Sequence, residues 1–113
     1  MKNFIPIPFT DVELKDNFWS ERLVINQKKT LVANYQHLKK QGRIDAWTWK
    51  KGQPNKPHIF WDSDVAKWIE AVSYHLANKR NRSLEKKVDQ VVDIMANAQL
   101  KNGYLNSYFI NVE

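Results

Sequence analysis

The stretch that decides the fold covers residues 58–75 and reads HIFWDSDVAKWIEAVSYH. Asp62, Ser63 and Asp64 near its start carry side chains that can cap a helix. The apolar residues that follow recur at helical spacing on one face, namely Val65, Trp68, Ile69, Val72 and Leu76. The pattern predicts an amphipathic helix over residues 63–78 that packs one face against another element.

Apolar residues also recur at helical spacing before this stretch. Asp16 or Asn17 can cap a long helix over residues 19–41, and Gly42 is placed to end it. The residues before it, 1–17, contain prolines and a short apolar and polar alternation, which predicts an extended arm with at most one short strand. We expect this arm to lie over another part of the fold.

A third helical period follows the central stretch. Ser83 can cap a helix over residues 83–101, and Gly103 suits its C-terminal end. Its apolar stripe consists of Leu84, Val88, Val91, Val92, Met95 and Ala98. We expect Gln99, Asn102, Tyr104 and Asn106 to tie down the turn around that glycine.

The segment between the first two helices, residues 43–61, is long for a loop in a compact domain. Trp47 and Trp49 argue against full disorder, because disordered segments are poor in aromatic residues. Helices joined by polar turns, without a hairpin or βαβ pattern, predict an all-α fold. Five Trp, four Tyr and five Phe exceed what three helices readily bury, so we expect the chain to belong to a larger structure.

Composition narrows the class of protein. The 113 residues are 42% hydrophobic and 27% charged, which is ordinary for one domain or part of one. No apolar run reaches the roughly 20 residues that a membrane span needs. Pro6, Pro8 and Asp11 interrupt the N-terminal apolar patch, so we expect no export signal and a cytoplasmic location.

The net charge of +6 raises the question of a nucleic-acid partner. The basic residues are dispersed, however, and no recognised nucleic-acid motif accompanies them. A solvated basic surface is therefore favoured, and nucleic acid is an unlikely partner. The three histidines, His37, His58 and His75, are too widely spaced to predict a metal site.

Several of these residues, taken in order, resemble the N-terminal part of glycoside hydrolase family 127. The most specific stretches are DSDVAKWIEA, residues 62–71, and QLKNGYLNSYF, residues 99–109. The stretch GRID, residues 42–45, also matches, and VELKDNFW, residues 12–19, is a weaker match by itself. Characterised members of that family are β-L-arabinofuranosidases. The resemblance implies that these helical hairpins are the first helices of an (α/α)6 barrel, preceded by the extended arm.

The resemblance also implies a mechanism that this chain cannot complete. In the family, a zinc-bound cysteine thiolate attacks the anomeric carbon in a retaining reaction, and a glutamate serves as general acid and base. The chain contains no Cys, and neither Glu70 nor Glu113 lies in the matching motif. We therefore expect no catalytic residue and no cofactor in this chain, with zinc held elsewhere in the complete family domain.

Five residues are candidates for contacting a sugar. Asp62 and Asp64 can either cap their helix or face a pocket, and Trp61 can rim such a pocket. Asp45 can bind sugar hydroxyls or hold its loop. Tyr104 can contact substrate or support the glycine turn.

The leading hypothesis is an N-terminal fragment of a retaining glycoside hydrolase that acts on arabinofuranosyl residues of plant glycans, inactive by itself. Its partner would be a carbohydrate substrate, once the remainder of the domain completes it. The alternative is a small basic helical module that binds nucleic acid or another polyanion.

Overall fold

The computed structural model describes residues 3–112; Met1, Lys2 and Glu113 lie outside the described residues, the first two within the predicted arm. All regular structure within residues 3–112 is helical, which confirms the all-α prediction. The α-helices are α1 (Trp19–Ile25), α2 (Leu31–Lys40), α3 (Trp61–Asn78), α4 (Arg82–Ala98) and α5 (Ser107–Asn111). A π-helical turn (Asn26–Thr30) joins α1 to α2, and short 3-10 helices cover Phe9–Asp11 and Ile44–Thr48.

The predicted first helix, residues 19–41, is a nearly continuous helical run that contains the π-helical turn. Asp16 supports its start, because its Oδ1 accepts a hydrogen bond from the backbone N–H of Trp19 at 2.6 Å. Helix α2 buries Leu31 and Leu38, whereas no residue of α1 is buried.

Helix α3 begins at Trp61 rather than at residue 63, and it ends where predicted. Its N-cap is Phe60, so the capping role considered for Asp62, Ser63 and Asp64 is wrong. All three lie inside the first turn, where carboxylates still suit the helix dipole. The carboxylates of Asp62 and Asp64 are thereby available to other parts of the fold, whereas the Ser63 hydroxyl donates to the Phe60 carbonyl at 2.8 Å.

Helix α4 begins at residue 82 rather than 83, because Asn81 caps it and not the predicted Ser83. Asn81 Oδ1 accepts hydrogen bonds from the backbone N–H groups of Ser83 and Leu84, both at 3.1 Å. Ser83 therefore lies inside the first turn instead of capping it.

The C-terminal end of α4 also differs from the prediction, at residue 98 rather than 101. Gln99 adopts an extended backbone conformation with ψ 131°, which ends the helix before Gly103 can cap it. Gly103 instead takes a positive φ of 87° in the next turn, where its N–H donates to the Leu100 carbonyl at 2.8 Å. The glycine is needed there because few other residues adopt that conformation.

The core lies between α2, α3, α4 and the 3-10 helix at residues 44–48. Its buried members are Leu31, Leu38, Ile44, Trp47, Val65, Trp68, Val72, Leu84 and Val91. The α3 stripe is confirmed in the core at Val65, Trp68 and Val72, with Ile69 and Leu76 packed against it. Val92 departs from the predicted α4 stripe, with 44% of its surface exposed.

The long segment between α2 and α3 is ordered by its own aromatic residues. Its 3-10 helix buries Ile44, Ala46 and Trp47. The indole N–H of Trp49 donates to the carbonyls of Gln53 and Pro54, at 3.2 and 3.0 Å. The two tryptophans therefore hold the segment by burial and by hydrogen bonding, respectively.

Successive helices α2, α3 and α4 run in alternating directions, and this brings two loops to the same end. Arg43, just after α2, pairs with Asp64 in the first turn of α3. Asn111 of α5 donates its side-chain N–H to the Ala46 carbonyl at 2.9 Å. We call this end of the molecule, with residues 41–60 and 99–106, the loop end.

The N-terminal arm crosses the opposite end. Its described part has one 3-10 turn and no strand, so the short strand that the sequence allowed does not form there. The Phe9 ring packs edge-on against Tyr74 of α3, with centroids 5.1 Å apart. Phe4, Ile5 and Ile7 remain highly exposed, and a groove of about 890 Å³ lies between the arm, α1 and the end of α3. No helix among residues 3–112 is long and apolar enough to cross a membrane.

Replacing Trp68 with Phe should destabilise the chain. The Trp68 indole N–H donates to the Leu31 carbonyl at 2.9 Å, and 3% of the residue is exposed. Losing this hydrogen bond and part of the ring should lower the free energy of unfolding by about 1–3 kcal/mol. Urea denaturation followed by far-UV circular dichroism measures the change. The matched control is Trp19→Phe, at a residue that is 56% exposed. An equal fall in the free energy of unfolding in both variants would show that the buried hydrogen bond of Trp68 does not stabilise the core.

The chain should lose stability as the pH falls below about 6.5, the ordinary pKa of histidine. Burial, and secondarily the charge of Lys79, lower the pKa of His75, whose Nε2 is buried without a hydrogen-bond partner among the described residues. The unfolded chain therefore binds this proton more readily, and the free energy of unfolding falls between 6.5 and the lower folded-state pKa.

The comparison of His75→Gln with wild type across this pH range tests that expectation. Thermal or urea unfolding should show a shallower pH dependence in His75→Gln than in wild type. The exposed His58 supplies the control, as His58→Gln. An unchanged slope in His75→Gln would show that other groups cause the dependence.

Candidate functional site

The five candidate residues all lie at the loop end or in the adjoining first turn of α3, but in three separate settings. Trp61, Asp62 and Asp64 belong to α3, Asp45 to the 3-10 helix and Tyr104 to the turn after α4. The alternating helix directions bring these segments to one end. Whether any of them contacts a sugar stays a prediction.

Asp62 is held by an internal partner far along the chain. Its Oδ2 accepts a hydrogen bond from the Ser107 backbone N–H at 2.8 Å, and its Oδ1 accepts one from the Ser107 hydroxyl. Ser107 is completely buried at the start of α5. Asp62 thus fastens α5 to the beginning of α3, and both of its carboxylate oxygens are used in doing so.

Asp64 and Trp61 are brought together by Arg43. The Arg43 Nη1 donates to Asp64 Oδ2 in an ion pair whose side chains are about one-third exposed, and the guanidinium lies 5.7 Å from the Trp61 ring centroid. Lys67 lies more loosely by the same carboxylate, at 4.0 Å. The Arg43 Nε is buried without a hydrogen-bond partner in the described part of the chain.

Sequence reasoning counted Arg43 among the dispersed basic residues and missed it as a site residue. Its partner lies 21 positions away, so no local pattern shows the pair. The signal that could have found it is its place in the GRID stretch that resembles the family, beside the candidate Asp45.

Asp45 and Tyr104 make their contacts elsewhere. Asp45 Oδ1 pairs with Lys39 Nζ at 2.6 Å, with both side chains about half exposed. Tyr104 is 46% exposed, and its backbone N–H donates to Asn102 Oδ1 at 3.0 Å. Gln99 closes the same turn by donating to the Gly103 carbonyl at 2.8 Å. These hydrogen bonds agree with the expectation that polar side chains tie down the glycine turn.

A cavity of about 540 Å³ opens beside Trp61. We call it the Trp61 pocket, and its lining residues are His37, Lys40, Gln41, Arg43, Asn55, Lys56 and Trp61. Aromatic surface, amides and cations can stack on and hydrogen-bond to a polar ligand. The nearby carboxylates of Asp62 and Asp64 serve Ser107 and Arg43, so they do not form the free acid pair that glycoside hydrolysis commonly uses.

The described residues also lack a set of metal ligands. Within residues 3–112 no three side chains of the His, Cys, Asp or Glu types lie together, and the sequence has no cysteine. A thiolate-rich zinc site, as the resemblance implies for the family, does not fit the residues of this chain.

Asp62→Ala should release α5 from α3. Removing the carboxylate leaves the buried Ser107 N–H and hydroxyl without their acceptor, which costs about 1–3 kcal/mol. Hydrogen exchange at the amides of residues 107–111 should accelerate more than exchange in α2. Asp89→Ala removes an exposed carboxylate of α4 and is the control. Unchanged protection in Asp62→Ala would show that Asp62 does not hold α5.

Comparison with known proteins supplies the family. The model of the β-L-arabinofuranosidase GH127 catalytic domain matches residues 11–113. A non-reducing end β-L-arabinofuranosidase from Bifidobacterium longum subsp. longum is 43% identical over 49 residues, which cover 43% of this chain and 7% of that protein.

Two solved structures agree with this match. A GH127 β-arabinofuranosidase superposes with a TM-score of 0.82 at 33% identity, covering 94% of this chain and 18% of the other. A GH127 β-L-arabinofuranosidase from Geobacillus stearothermophilus T6 superposes with a TM-score of 0.79 at 32% identity. The match covers 88% of this chain and 17% of that enzyme. This chain thus spans less than a fifth of either.

The alternative of a basic binding module gains no support from these similarities, and the (α/α)6 barrel prediction is confirmed. The chain belongs to glycoside hydrolase family 127.

Proposed function

We propose that this chain forms the first helices of a β-L-arabinofuranosidase catalytic domain, and that it does not hydrolyse glycosides by itself. The observation that carries the proposal is its superposition on less than a fifth of a GH127 enzyme with a TM-score of 0.82. The substrate class is that named for the relatives, a β-L-arabinofuranosyl sugar.

Exposed apolar surface supports the need for a larger domain. The arm and α1 expose Phe4, Ile5, Phe18, Trp19 and Leu23, each by more than half of its surface. A concentration of exposed large apolar side chains in one segment is typical of a surface that contacts another part of a protein. In a barrel of paired helices, later helices of the domain would cover the arm and α1.

The chemistry expected of the family would come from residues outside this chain. The chain has no cysteine to supply a thiolate, and residues 3–112 contain no cluster of side chains that would hold a zinc ion. The contribution of this chain is to build one side of the loop end. Arg43, Asp64 and Trp61 would shape the surface there, while Asp62 holds α5 in place.

A chimera tests this proposal. The 113-residue chain replaces the equivalent part of the Geobacillus stearothermophilus T6 enzyme, and turnover of an aryl β-L-arabinofuranoside is measured. We expect kcat/KM within about tenfold of the parent enzyme, equivalent to about 1.4 kcal/mol of barrier, because the helices superpose closely. The chain alone should give no turnover above buffer.

The control is the parent enzyme with the same part deleted, which should be inactive. Turnover by the isolated chain would contradict its predicted inactivity. A chimera that folds, as judged by circular dichroism, but does not turn over the substrate would contradict the proposed function itself.

A further inference from the structure

The Trp61 pocket has a one-sided charge distribution. Lys40, Arg43 and Lys56 are among its lining residues, and none of the described residues that line it is acidic. Arg43 is already paired with Asp64. Neither Lys40 nor Lys56 takes part in any of the five ion pairs among the described residues. The pocket therefore keeps an excess of positive charge.

The wall that carries Lys56 is held in place by the backbone. Gly42 has a φ of 77°, and a Cβ added to it would lie 2.7 Å from the Cβ of Asn55. Asn55 itself has a positive φ of 54°. The close approach presses the loop against the end of α2, so only glycine fits at residue 42. The indole of Trp49 fastens the same loop by its hydrogen bonds to residues 53 and 54.

The chemistry of the lining residues selects a class of ligand. Lysine and arginine side chains bind carboxylates through charge-assisted hydrogen bonds. An aromatic ring such as Trp61 offers apolar area beside them, and the amides of Gln41 and Asn55 can bind hydroxyl groups. A volume of about 540 Å³ falls within the range of small-ligand sites.

We propose that the Trp61 pocket binds a sugar that carries a carboxylate, as a uronic acid unit of an acidic glycan does. The inference rests on the proposed function, because it places the charged part of a glycan at the loop end, which this chain builds in the proposed catalytic domain. A glycan is favoured over nucleic acid because the unpaired charge is concentrated in one small pocket. Sequence-independent binding of a nucleic-acid backbone uses a groove along several nucleotides and a series of stacking rings.

The test titrates the 113-residue chain with a trimer of galacturonic acid and, separately, with a neutral galactose trimer. Two-dimensional NMR follows the indole N–H of Trp61, assigned from the spectrum of Trp61→Phe. The acidic trimer should cause a saturable shift of this signal that weakens with added salt, and the neutral trimer should cause a much smaller one.

The variant Lys40→Gln/Lys56→Gln should bind the acidic trimer at least about tenfold more weakly, because it loses both unpaired cations of the pocket. Both lysines are exposed, so the fold should persist, which the dispersion of the NMR signals checks. The matched control is Lys29→Gln/Lys86→Gln, which removes the same charge from exposed positions outside the pocket and should leave affinity nearly unchanged.

Three results would overturn the inference. The neutral trimer could shift Trp61 as strongly as the acidic one, or the control variant could lose as much affinity as the pocket variant. A single-stranded oligonucleotide of equal charge could bind the pocket more tightly than the glycan, which would make it a nucleic-acid site. Failure of the proposed function is distinguishable, because it leaves the chimera inactive on a neutral arabinofuranoside whether or not Trp61 responds to the acidic trimer.

Discussion

The hydrogen bonds between Asp62 and Ser107 join the beginning of α3 to the beginning of α5, across 45 positions of the chain. Helix α5 is too short to be stable alone. Its position beside the 3-10 helix depends on this carboxylate and on the contact between Asn111 and the Ala46 carbonyl. The 3-10 helix in turn buries Ile44 and Trp47 against the core. The arrangement of the loop end thus follows from two partly buried polar contacts added to an apolar core.

The helical period in the sequence was sufficient to predict α2, α3 and α4 and most of the core residues, because periodic apolar residues must be buried together. Features that depend on distant partners could not be predicted in this way. The Asp62–Ser107 and Arg43–Asp64 pairs connect residues whose separation carries no local signal. The 3-10 helix and α5 are too short to show a period, and a π-helical turn leaves no distinct pattern. The helix boundaries shifted because Asn81 and Gln99, rather than the expected residues, begin and end α4.

The surroundings of the candidate residues could not be predicted from the sequence, because a pattern does not show which segment lies against them. Helix α3 buries residues against both α2 and α4, whereas α1 and the arm bury none of theirs among the described residues. A sequence pattern indicates that a face is apolar, but it does not say which chain segment covers it. Similarly, an acidic residue at the start of a helix can cap the helix, bind a ligand or hold another segment. In the described structure Asp62 does the last of these, because both of its carboxylate oxygens accept hydrogen bonds from Ser107.

Charge and geometry at the loop end are coupled through Arg43. Its guanidinium lies near the Trp61 ring and forms an ion pair with Asp64. Among the described residues, Asp64 is the acidic side chain that pairs with Arg43. The pair carries no net charge, so Lys40 and Lys56 set the sign of the charge among the residues that line the pocket. Gly42 contributes through the backbone, since its left-handed conformation lets Asn55, and with it Lys56, approach the end of α2. The positive character of the pocket therefore comes from the unpaired Lys40 and Lys56, and the turn at Gly42 brings Lys56 to the pocket.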